Sequence, residues 1–120
     1  MRKGMIFGVV LFLTACSGGG VQQVPSLMSP DGMANQEAAN KNNEGVDHLV
    51  QGHYDVADPL FEQAITAQAD FAEAHFNLAV ALDGKGKHEE ATAAFKKAVE
   101  FGKANPKIAE SELLKKHLGM

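Results

Sequence analysis

One cysteine, one tyrosine and no tryptophan are unusual scarcities for a chain of 120 residues. A lone thiol cannot close an intramolecular disulfide, so no disulfide framework holds this fold. Basic residues are outnumbered as well. Eleven Lys and Arg against fifteen Asp and Glu leave a formal charge of -4. That excludes the basic stripe with which a general nucleic-acid binder displaces counterions from phosphates. There is no apolar run of the roughly 20 residues that a membrane-spanning helix needs. His-Glu-x-x-His spacing, a nucleophile elbow and a Gly-Lys-Ser/Thr phosphate loop are all missing. The five histidines (48, 53, 75, 88 and 117) show no ligand spacing, and His88-Glu89-Glu90 lacks the second His. We therefore expect no enzyme, no catalytic residue, no metal site and no cofactor. The length allows one small domain plus a tail.

The sole cysteine, Cys16, follows a positive start (Arg2, Lys3) and a short apolar run over residues 5–13. A basic beginning, a brief apolar stretch and small residues before a cut describe an export signal. The stretch Leu13-Thr14-Ala15-Cys16 resembles the lipobox of bacterial lipoproteins: an aliphatic residue, two small ones and an obligatory Cys. The resemblance implies a signal peptide over 1–15, removed in the mature protein, and a covalent lipid on Cys16. Two or three acyl chains would anchor the protein stably, at about 0.8 kcal/mol per buried methylene. Ser17 after the Cys is similar to the outer-membrane sorting pattern, which implies a protein facing the periplasm in a double-membraned host. Loss of Arg2 and Lys3 would bring the formal charge from -4 to -6.

Residues 16–36 hold three consecutive glycines and two prolines with little apolar periodicity, the composition of a flexible linker. Beyond them the chain repeats itself. Gly52 pairs with Gly86, Ala57 with Ala91, Phe61 with Phe95 and Ala64 with Ala98, each 34 residues apart. Upstream, Asn43 pairs with Asn77 and Gly45 with Ala79 at the same separation. A fixed period of this length marks a helical repeat architecture. Phe71, Ala74, Leu78, Ala81 and Leu82 recur at helical spacing, and strand signals are lacking.

This spacing resembles the tetratricopeptide repeat (TPR), a helix–turn–helix unit. The resemblance covers units at 38–71 and 72–105 and implies an all-α domain over 37–118. Two repeats plus a capping helix at 106–118 would form a short right-handed superhelix. The second unit fits better. In the first, Lys41 and Glu44 stand where the family prefers bulky apolar residues. Pro106 suits the first position of the capping helix. Pro59, near the start of the second helix of unit one, reads as a structural adjustment.

In the TPR family the first helix of each unit lines a concave surface that grips peptides or helices. Carried over by position, the resemblance implies a partner surface of Asn42, Asn43, Val46, Leu49 and Val50, with Glu73, Phe76, Asn77, Val80 and Asp83 from unit two. Asn43 and Asn77 stand out as holders of a partner's backbone, because an amide both donates and accepts. A subclass that binds C-terminal carboxylates uses paired Lys here. Ala39 and Glu73 occupy the corresponding positions, which excludes that mode.

Residues 37–83 carry nine acidic side chains and one Lys, while 84–120 carry eight Lys and five Glu. The expected function is a membrane-anchored adaptor or scaffold for another protein or peptide of the cell envelope. The alternative is a self-associating structural lipoprotein whose acidic and basic halves meet, a homo-oligomer without a dedicated client.

Overall fold

The computed structural model describes residues 24–120. The expected signal segment, the expected lipidation site Cys16 and the linker up to residue 23 lie outside the described residues. Within them the protein is helical, without strands. Four long helices, α1 (Gln36–Leu49), α2 (Tyr54–Ala67), α3 (Ala72–Gly84) and α4 (His88–Phe101), are followed by two short ones. These are α5 (Pro106–Ala109) and α6 (Glu112–Leu118). None is long and apolar enough to cross a membrane. Helix α1 packs on α2, α3 on α4, and α2 on α3, which makes two helix–turn–helix units stacked in series.

Asn35 starts α1. Its side chain accepts from the Ala38 N–H (2.9 Å), satisfying one of the free donors at a helix start. Its amide also donates to the Ala67 carbonyl at the far end of α2 (2.9 Å), so one residue ties both ends of the first unit. The two units turn alike. Gly52 (φ 80°) and Gly86 (φ 82°) take the left-handed backbone that closes a helix without a Cβ clash. After each, an N–H reaches back five residues: His53 to the His48 carbonyl and Lys87 to the Leu82 carbonyl, both 2.9 Å.

Packing follows the 34-residue register. Ala57 and Ala91 are fully buried where paired helices approach, and Phe61 and Phe95 fill the space beside them. Phe76 meets Phe95 edge-on, centroids 5.6 Å apart. Gly45 lies so close to Phe61 that a Cβ there would stand 2.5 Å from the ring. Pro59 sits inside α2 on an exposed face and forfeits one helix bond. Lys85, at the end of α3, joins the units. It bonds Asp58 of α2 at 2.8 Å and reaches Asp55 at 3.4 Å. The Asp58 hydrogen bond holds the Lys85 amine above its ordinary value, against the opposing effect of desolvation.

Two expectations need correction. Residues 106–118 do not form one helix. Ser111 adopts an extended backbone (ψ 124°) and its hydroxyl accepts from the Leu114 N–H, so it caps a new helix, α6, after the four residues of α5. A serine competes for backbone donors and so favours a helix start over a helix interior. Ile108 of α5 and Leu114 of α6 are both fully buried, so the break lets each deliver an apolar side chain to the core. Nor are residues 24–30 a free linker: they lie against the repeats.

Candidate peptide-binding groove

Residues 24–30 form a non-helical strap across the inner faces of α1 and α3. Asn77 holds both polar groups of one strap residue. Its Oδ1 accepts from the Leu27 N–H, and its Nδ2 donates to the Leu27 carbonyl, each at 2.8 Å. The second Nδ2 hydrogen goes to Asn42 Oδ1 (2.8 Å). Asn42 Nδ2 in turn donates to the same Leu27 carbonyl (3.0 Å) and to Ser29 Oγ (3.1 Å). Both amides are fully buried, and every one of their N–H donors is used. That satisfaction is what makes two buried polar side chains tolerable here.

Two residues further on, Ser29 repeats the pattern. Its N–H donates to Asn43 Oδ1 (2.8 Å), and its hydroxyl donates to the Ala39 carbonyl (2.9 Å). Leu27 and Ser29 are thus anchored at alternate positions, while Met28 between them is more than half exposed. Val24 and Leu27 pack against the cluster that includes Val46, Leu49, Phe76 and Val80. The groove thereby reads backbone with amides and adds apolar contact from below. Among the described residues no charged side chain bonds the strap; Glu73, Lys107 and Asp31 stand at its edge.

This arrangement sorts the residues expected at a partner surface. Asn42, Asn43 and Asn77 are brought together and hold the strap. Val46, Leu49, Phe76 and Val80 form the buried floor. Glu73 accepts from Asn105 Nδ2 (2.7 Å) at the rim. Val50 caps the end of α1 and is half exposed, away from the bonds that define the groove. Asp83, near the end of α3, makes no bond to the strap and is bonded instead by His88 and His117. The central pair is Asn42 with Asn77, not the pair in repeat register. Register makes Asn43 and Asn77 equivalent by fold, whereas side-chain contact follows how α1 and α3 lie against each other. Leu27 and Ser29 carried no signal in the sequence, because their part is played by the main chain.

Repeated turns, paired small and aromatic residues, and an amide-lined inner face are the features that decide the family, and the profile described as tetratricopeptide repeat matches residues 42–106, more than half of the chain. The chain belongs to the tetratricopeptide repeat family. No curated protein and no solved structure matches it significantly. The matched TPR segment begins at the first groove amide, Asn42, and ends at Pro106, the first residue of α5.

Proposed function

We propose that this TPR protein is a lipid-anchored adaptor of the bacterial cell envelope, and that its groove takes an extended segment of a client protein. One observation carries the reading. Asn42 and Asn77 together engage the N–H and the carbonyl of a single residue in a non-helical segment. Two amides bonding main chain recognise an extended peptide without demanding a particular side chain. TPR domains serve protein–protein interaction, and the buried apolar floor adds contact area of the kind that drives such association.

Residues 24–30 then act as an internal competitor, which a client must displace. The anchor at Cys16, read from the lipobox, gives the displacement a mechanical consequence. With the strap seated, the eight residues from Cys16 to Val24 span at most about 29 Å. With the strap released, the tether runs nineteen residues to Asn35 and spans at most about 68 Å. Client capture would lengthen the reach of the domain from its membrane.

In-cell crosslinking from the groove, followed by mass spectrometry of the attached protein, tests the adaptor reading. Leu27→Pro removes the N–H that Asn77 accepts from and frees the groove, so it should raise the yield of the crosslinked client. Asn77→Ala should lower it. Equal yields from both variants and the parent would place capture elsewhere on the molecule.

A further inference from the structure

The structure assigns a divalent-metal site to Asp83, His88 and His117, at the opposite end of α3 from the groove's first contacts and independent of the adaptor reading. Among the described residues these three form a group whose ligand atoms all lie within 4.8 Å of one another. Three elements supply them: the end of α3, the start of α4 and the last turn of α6. Asp83 Oδ1 lies 2.7 Å from His88 Nδ1 and 2.8 Å from His117 Nε2.

Burial and a fixed neighbour at His117 set this cluster apart. Thr92 Oγ1 lies 2.9 Å from the His88 carbonyl and 3.0 Å from His117 Nδ1. Its rotatable hydroxyl can donate to either, or its oxygen can accept from Nδ1–H when Nε2 is engaged as a ligand. His117 Nε2 faces the Asp83 carboxylate oxygen. The ring is also fixed in place. Its side chain is 9% exposed, and its centroid lies 5.0 Å from that of Phe95.

A ligating histidine ordinarily donates its other ring N–H to a fixed acceptor, and Thr92 already supplies one. Two imidazoles and a carboxylate suit Zn²⁺ or Co²⁺, with water completing a tetrahedron. The cleft bounded by Asp83, His88, Lys116 and His117 leaves that fourth position open to solvent. In such a tetrahedron, with metal–ligand bonds of about 2.0–2.1 Å, neighbouring ligand atoms stand about 3.3 Å apart. The two imidazole–carboxylate contacts would open by about 0.5 Å to admit the ion. Bound there, it clamps α6 onto the α3–α4 turn and closes the end of the repeat stack.

The test is calorimetric titration of ZnCl₂ into the full chain, purified without a histidine tag, with the Co²⁺ absorption spectrum as a second readout. We expect one ion per chain, a Co²⁺ spectrum of tetrahedral type and a rise in Tm with Zn²⁺. His88→Ala removes a ligand whose side chain is 68% exposed, so the fold remains while binding is lost. Thr92→Val keeps all three ligands and removes only the acceptor, which should weaken binding about 10–100-fold. Absence of binding by both ions would overturn the assignment. So would binding that survives His88→Ala but disappears in His48→Ala, which would move the ion to the exposed His48–His53 pair, whose nitrogens lie 3.4 Å apart.

Discussion

Asn42 and Asn77, one from the first helix of each repeat, bond each other at 2.8 Å and both donate to the carbonyl of Leu27. The inter-repeat contact and the groove contact are therefore one network. Loss of either amide disturbs the stacking of the repeats and the seating of the strap together. That coupling distinguishes the groove from a surface that merely happens to be covered.

Asn77→Ala is the most direct probe of the network. It strips the Leu27 N–H of its acceptor and leaves Asn42 Oδ1 without its donor. A buried polar group left unsatisfied costs about 1–3 kcal/mol. For a domain of this size, each kcal/mol moves Tm by about 4–8 °C. Thermal denaturation should show such a fall. Hydrogen exchange should separate the two consequences: the Leu27 amide becomes unprotected while amides in the middle of α3 keep their protection under native conditions. A Leu27 amide that exchanges as slowly as in the parent would mean that the strap does not depend on Asn77.

The fold and the groove were legible in the sequence to different degrees, for physical reasons. Gly52 and Gly86, Ala57 and Ala91, and Phe61 and Phe95 are side-chain choices forced by turn geometry and by the close approach of helices, so they recur every 34 residues and can be read. Asn77 stood out in the sequence as the register partner of Asn43, whereas the structure bonds it to Asn42. The strap was not legible, because Leu27 and Ser29 are held chiefly through main-chain groups that every residue carries. The break at Ser111 was hidden by Ala109 and Leu113, whose spacing of four suits one continuous helix. Asp83, His88 and His117 come from three elements, so no local ligand spacing could announce them.

Gly45 departs from its partner in the other repeat, Ala79, and the structure gives the reason. A methyl group at Gly45 would meet Phe61 Cε1 at 2.5 Å and Cδ1 at 2.8 Å. Phe61 is fully buried, so its ring has little space into which to move. Gly45→Ala should therefore destabilise the protein by about 1–3 kcal/mol, the usual cost of overpacking a core, despite the better helix propensity of Ala. Urea unfolding measures it. A stabilised variant would show that Phe61 can shift without cost.

Lys85 offers a pH-dependent test of the join between repeats. Asp58, whose side chain is 12% exposed, holds the Lys85 amine above its ordinary value of about 10.5. A group whose value is raised by folding contributes stability that is fully present below its unfolded value. That contribution disappears as pH rises through the higher folded value. Lys85→Gln should thus lower Tm at neutral pH, and the gap between variant and parent should narrow as pH is raised above about 10.5. A gap that stays constant across that alkaline range would assign the loss to packing of the lysine stem instead.

The last prediction concerns the strap as a ligand. If the groove recognises main chain through Asn42 and Asn77, a synthetic peptide of residues 24–30 should bind in trans to a chain whose own strap is displaced. Leu27→Pro in the full chain supplies such a receptor, since proline brings no N–H for Asn77 Oδ1. The parent chain should bind the same peptide at least about tenfold more weakly. Its tethered strap competes at the millimolar effective concentration that a short linker imposes. Fluorescence anisotropy of the labelled peptide reads both affinities, and Asn77→Ala combined with Leu27→Pro should abolish binding. Binding of equal strength to parent and Leu27→Pro chains would mean that the peptide does not enter the groove the strap occupies. In that case the strap belongs to the fold rather than to recognition, and clients must be sought on another face.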